Sequence, residues 1–177
     1  FSLSIKNNLV QKKHMLNLTY KILFIYMIIG IPKEIVNNET RVATTPAAVK
    51  LLKKFGFSVL IENKAGFLSN ISNEEYISSG AKIVTNASEI YQGANVIIKV
   101  NAPTLDEIDL MKERTLLVSF IQTTNEIEVV KKLKSKKINA ISMHLIPRTT
   151  LAQKMDALSS QSNIAGYKAV LIGASHI

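Results

Sequence analysis

With 177 residues, 47% hydrophobic and 20% charged, the chain can bury one substantial core, and its composition excludes disorder as a class. The absence of cysteine excludes disulfides and thiolate metal sites, and His14, His144 and His176 stand too far apart for ligand spacing. The net charge of +9 raises nucleic acid as a partner, but its distribution argues against that class. Lys131, Lys132, Lys134, Lys136 and Lys137 crowd one helix surface with no interleaved aromatic residue to stack a base, the pattern of a solvated face.

Residues 1–26 carry Lys6, Lys12, Lys13 and Lys21 and no acid. The apolar run 22–29 falls well short of the roughly 20 residues that span a bilayer. A basic start with an apolar middle loosely mimics a targeting peptide, yet no small-residue cleavage site follows. The simpler expectation makes Met27 the start and residues 1–26 upstream-translated or disordered extension.

From Met27 onward, apolar strands alternate with amphipathic helices. Residues 27–31 form a compact apolar run ended by Pro32, a buried strand. Thr45 then Pro46 is a hydroxyl cap followed by proline at the first helical position. Ala48, Val49, Leu51, Leu52 and Phe55 are the expected buried stripe, with Lys50, Lys53 and Lys54 outside and Gly56 as the stop. A strand over 58–62 leads through the loop 63–70 to a short helix capped by Ser72 or Asn73 and ended by Gly80. A strand over 81–84, a helix over 87–92 and a β-branched strand over 95–100 follow. Thr104 caps a helix to Lys112, a strand runs over 115–120, and a helix over 125–137 has acids first and lysines last, as the helix dipole favours. A strand over 139–143 and a helix over 162–171 complete the series. Tyr76, Tyr91 and Tyr167 are expected at the edge of the core, and His144 in a loop or the core.

This alternation predicts an α/β fold, a three-layer parallel sheet with helices on both faces, Rossmann- or flavodoxin-like. None of the seven glycines is separated from another by a single residue, so no G-x-G-x-x-G turn is present. Fold alone therefore licenses only an α/β domain, and function must come from a site.

The segment Gly30-Ile31-Pro32-Lys33-Glu34, followed by Asn38-Glu39-Thr40-Arg41-Val42-Ala43-Thr44-Thr45-Pro46, resembles the opening of the alanine dehydrogenase and transhydrogenase family. Pro147-Arg148, Ala152-Gln153 and the block from Met155 to Tyr167 resemble the transhydrogenase branch in particular. The resemblance covers 27–171. It implies an α/β domain over 27–146, and a loop with the start of a connecting helix over 147–177. It also implies that an NAD-binding domain with its own glycine turn follows, and that a returning C-terminal segment completes the first domain.

In that branch an Arg-Gln-Asp loop meets the nucleotide near the nicotinamide, and Arg148, Gln153 and Asp156 match it; Ser159 matches a nearby serine. Such residues suit hydride transfer, which needs orientation rather than a general acid or base. Gln153 can both donate to and accept from a carboxamide, Arg148 offers a fork of donors, and Asp156 would orient either one. Asp156 and Ser159 fit helix caps equally well, and Gln153 on its own reads as surface. Leu151 stands where the family often has a second basic residue.

Arg41 and Lys99 match positions that hold pyruvate in alanine dehydrogenases. The stretch Ile121-Gln122-Thr123 lacks the histidine those enzymes use for proton transfer, so Arg41 and Lys99 read as structural, with Arg41 buried against Glu34 or Glu39.

The resemblance thus implies an enzyme part: hydride passing from NADH on this subunit to NADP+ on a partner, coupled to proton translocation by membrane-spanning subunits. It further implies a homodimer and a peripheral place on the cytoplasmic side of a bacterial inner membrane, or in the mitochondrial matrix. No metal or nucleic acid is expected. The alternatives are an NAD-dependent alanine dehydrogenase and a non-catalytic truncated fragment.

Overall fold

A computed structural model describes residues 27–176, so the expectation for residues 1–26 lies outside the described residues. The strands are β1 (Ile28–Ile31), β2 (Ser58–Glu62), β3 (Lys82–Val84), β4 (Val96–Asn101), β5 (Leu116–Phe120) and β6 (Asn139–Ser142). The helices are α1 (Pro46–Lys54), α2 (Asn73–Ser78), α3 (Ala87–Gly93), α4 (Leu105–Leu110), α5 (Ile127–Ser135) and α6 (Ala157–Ala174). The six strands form one sheet in the order β3-β2-β1-β4-β5-β6. Every neighbouring pair is parallel. Chain order reverses direction between β1 and β4, and ligands of open α/β sheets bind beyond the strand ends at such a point.

One apolar cluster, with Ile31, Val49, Ile61 and Tyr76, lies on the α1–α2 side. The other, with Ile90, Tyr91, Ile97, Ile108 and Leu117, lies under α3, α4 and α5. Gly30 in β1 marks where the second layer comes closest. A Cβ there would sit 2.4 Å from Ile90 Cγ2 and 2.8 Å from Ala94 Cβ.

Local chemistry sets the helix ends. Thr45, Ser72 and Thr104 each accept the backbone N–H three residues on, satisfying a donor that the first turn leaves unpaired. Gly56 and Gly80 take the left-handed backbone that ends α1 and α2, with φ of 93° and 96°. First-turn acids mark α2, α3, α4 and α5, while last-turn lysines mark α1 and α5.

Three expectations need correction. Leu51 and Phe55 are exposed: a helical period that turns Val49 and Leu52 inward leaves them on the flank. The last helix starts at Ala157 rather than Ser162, because Asp156 caps it and the weak helix formers Ser159 and Ser160 fall inside its first turn. Tyr167 is 71% exposed, because α6 projects past the sheet unit and none of its residues is buried.

Among the described residues, no helix is long and apolar enough to cross a membrane.

Candidate functional site

The strand ends at the β1/β4 switch point carry a chain of polar contacts. Glu34, just past β1, accepts the backbone N–H of Val100 at 2.6 Å and that of Asn101 at 3.3 Å. Its carboxylate thereby satisfies two backbone donors at the end of β4, beyond the last β1–β4 pair, Gly30 and Ile97. Asn101 Nδ2 donates to Glu34 at 3.3 Å and to Glu39 at 2.9 Å. Glu39 accepts Arg41 Nε at 2.8 Å and Nη2 at 2.6 Å, a two-point pairing. That pairing holds the Glu39 carboxyl down at about 2 against burial that would raise it. The last link runs from Arg41 Nη1 to Gln161 Oε1 of α6, at 3.3 Å.

Arg41 therefore does pair with Glu39, but it is not buried: its side chain is 44% exposed. Glu34 is occupied with the β4 backbone instead. Lys99 pairs with neither. Its side chain is 1% exposed, and its ammonium meets Glu107 Oε1 at 2.5 Å. Tyr91 donates to the same oxygen at 2.6 Å. The other Glu107 oxygen accepts the Thr104 N–H at 2.8 Å. Burial, then the Glu107 charge, push the Tyr91 hydroxyl far above its ordinary range. Both cations matched to a pyruvate pocket thus already have carboxylate partners within the chain.

Three clefts meet around the first turn of α6, and Gln161 borders all of them. One of about 440 Å³ lies between Arg41, Ser69, Phe120 and Met143. One of about 420 Å³ brings Arg41, Asn101, Gln122 and His144 together. The third, about 520 Å³, is bordered by Ile141, Met155 and Asp156. His144 sits edge-on to Phe120 with ring centroids 5.4 Å apart, so it is packed and yet reaches the cleft that holds Gln122.

The residues matched to a nicotinamide loop fall on the approach to α6. Gln153 opens a short 3-10 turn over Gln153–Met155, and its side chain is exposed without a hydrogen bond among the described residues. Arg148 is exposed upstream of it. Asp156 is buried and caps α6: Oδ1 accepts the Ser159 N–H at 3.0 Å and Oδ2 accepts its hydroxyl at 2.5 Å. These bonds, and then the Arg148 charge, hold the Asp156 carboxyl below the usual carboxylate range. Its carboxylate thus orients Ser159 and faces the Arg148 field. Gln153 joins it only through the backbone, Asp156 N–H to Gln153 carbonyl at 3.3 Å. Among the described residues no side-chain hydrogen bond joins Asp156 to Gln153, and both Asp156 carboxylate oxygens accept from Ser159.

The profile described as alanine dehydrogenase/PNT, N-terminal domain, matches residues 30–165. The chain belongs to the alanine dehydrogenase/PNT family. Among its members, NAD(P) transhydrogenase subunit alpha of Haemophilus influenzae is 49% identical over 84% of this chain and 28% of its own length. Alanine dehydrogenase of Methanococcus maripaludis is 38% identical over 85% of this chain and 40% of its own. Among solved structures, transhydrogenase from Sinorhizobium meliloti superposes with a TM-score of 0.80 at 38% identity, covering 84% of this chain and 44% of that one. An L-alanine dehydrogenase superposes with a TM-score of 0.64 at 32% identity, covering 66% of this chain and 32% of that one. The chain spans less than half the length of each of these family members. As a pyridine-nucleotide enzyme family, this one supports NAD(H) binding in general terms.

Three residues of this family domain escape sequence reasoning. Asn101 bridges two carboxylates that lie five residues apart in sequence. Glu107 reads as a first-turn acid, and it is one, but it is also the buried counter-ion of Lys99. Gln161 lies inside the transhydrogenase-like block, with no local signal that it reaches 120 residues back to Arg41.

Proposed function

We propose that the chain is the leading part of the alpha subunit of a proton-translocating NAD(P) transhydrogenase, and that its Arg148–Ser159 segment forms one edge of the nicotinamide site. The division that goes with this reading is an α/β domain over 27–146 and a nicotinamide-facing loop with its connecting helix over 147–177. The observation that carries it is the contrast in how donors are used. Arg41 and Lys99 are paired with carboxylates of the chain, whereas Arg148 and Gln153 stand exposed beside a segment fixed by the Asp156 cap.

The donor set fits the nicotinamide end of a dinucleotide. An amide offers a donor and an acceptor to a carboxamide, and a guanidinium offers a planar fork. The glycine turn that would cradle the pyrophosphate is not in this sequence. NADH, when bound, supplies the hydride. Gln153 and Arg148 hold the ring edge, Ser159 is held by Asp156 at the helix start, and the segment keeps water from one side. No proton-transferring side chain is needed for direct hydride transfer, which accords with Gln122 where alanine dehydrogenases carry a histidine.

The full assembly on this reading includes a following NAD-binding domain, a second alpha subunit, and NADP-binding and membrane-spanning partners. The segment described here is peripheral, on the cytoplasmic face of a bacterial membrane or in the mitochondrial matrix. The decisive experiment replaces Gln153 by Ala in the complete enzyme and follows NADH-to-NADP+ exchange. Loss of rate or of NADH affinity by roughly tenfold or more is expected, and unchanged exchange would refute the assignment. Titration of the 177-residue chain with NADH should show no measurable binding; micromolar affinity would contradict the one-edge view.

A further inference from the structure

We infer that Arg41 is a positioning residue for the nicotinamide-facing segment, acting through Gln161. The inference rests on the transhydrogenase reading. Its starting point is that α6 is weakly held. The helix touches the sheet unit chiefly at the Met143–Leu145 turn, and none of its side chains is buried. Among the described residues, Arg41 Nη1 to Gln161 Oε1 is the one side-chain hydrogen bond from α6 to the sheet unit.

Arg41 suits that task because it is itself immobilised. Two of its nitrogens are fixed on Glu39, and Glu39 is fixed through Asn101 to the end of β4. The planar guanidinium leaves Nη1 aimed in a set direction, which the single ammonium of lysine cannot reproduce. Gln161 lies little more than one helical turn beyond Asp156, and Asp156 fixes Ser159. The rigid strand ends at the switch point therefore set the angle of the first turn of α6, and with it where the Arg148–Ser159 segment stands. Hydride transfer is sensitive to displacements well below an ångström, so a residue that never meets the nucleotide controls the rate.

The test uses the assembled enzyme, with single-turnover hydride transfer from NADH to NADP+ and NADH affinity measured separately. Arg41→Lys and Gln161→Leu should each slow transfer roughly tenfold while NADH affinity stays within about threefold. The double variant should be no slower than either single one, since both break the same link. Gln161→Glu, which gives Arg41 a stronger acceptor, should keep the normal rate. Amide exchange across β1, β4 and β5 should match the unmodified protein, which separates positioning from loss of fold. Normal transfer in both single variants, or losses that multiply in the double, would overturn the inference. Gln153→Ala is the companion measurement. If it too is without effect, the functional reading itself falls; if it impairs transfer while Arg41 and Gln161 variants do not, only the positioning role is lost.

Discussion

The sheet unit and α6 are built on opposite plans. In the sheet unit the central strands are covered on both faces: Ile31 and Ile61 meet α1 and α2, while Ile97 and Leu117 meet α3, α4 and α5. Its buried charges have partners too. In α6, Ile164, Tyr167, Val170, Leu171 and Ile172 are all exposed, and they are spread around the helix rather than gathered in a stripe. From Ile164 on, the helix is apolar around much of its circumference, a pattern that suits packing on more than one side. Stability in this chain is thus a property of the sheet unit, while α6 is a lever attached to it.

Four substitutions test that contrast. The largest effect is expected at Glu107. Glu107→Ala strands the Lys99 ammonium in the core and orphans the Tyr91 hydroxyl, a loss of about 3–5 kcal/mol in urea unfolding. A loss under about 1 kcal/mol would mean that the triad is not closed to water. Next comes Gly30→Ala, whose methyl would press on Ile90 and Ala94. Overpacking of this kind costs about 1–3 kcal/mol, measured as a lowered unfolding midpoint at unchanged slope.

Glu39→Gln comes third and tests pH dependence. The folded carboxyl titrates at about 2 against a reference of 4.5, so the pair stabilises above the unfolded pKa and its contribution is lost as pH falls toward the folded value. The unmodified chain should therefore exceed the variant by about 2 kcal/mol at neutral pH, a linkage value reduced because Arg41 reaches solvent. The gap should close between about pH 4.5 and pH 2; a constant gap across that range would argue against the charge pairing. The smallest effect has the opposite sign. A Cβ added at Gly166 in α6 would meet nothing within 4 Å beyond its own helix and chain neighbours, so Gly166→Ala should raise helicity by circular dichroism and stabilise α6 by about 0.5–1 kcal/mol in the isolated chain. In the complete enzyme the same methyl should impair assembly if a second surface packs there.

Much of the fold is legible in the sequence because its signals are local. Thr45-Pro46, Ser72 with Glu75, and Thr104 with Glu107 announce their helices within four residues. Strand alternation with helices then dictates a parallel sheet. The site is only half legible. Arg148, Gln153, Asp156 and Ser159 are marked by family resemblance, and the structure shows the cap that joins the last two. What stays hidden is who pairs with whom across the strand ends. Nothing near Glu34 in sequence indicates that it serves the backbone of β4, and nothing near Lys99 selects Glu107 over Glu39. Those choices depend on which loops the sheet brings side by side. The start of α6 is hidden for a different reason, since a lone aspartate cap outweighs a serine-rich first turn that favours loop.

The uniform direction of the crossover helices has an electrical consequence. Each returns against its strand, so first-turn acids of α2, α3, α4 and α5 gather at the rim where the strands end, and the terminal lysines of α1 and α5 gather at the opposite pole. Each acid thereby faces the partial positive charge of its own helix start, and each lysine the partial negative charge of its helix end, so the two kinds of charge offset one another. The side-chain charges therefore temper the helix ends instead of building a pole, and Arg148 remains an exposed cation within the field of Asp156.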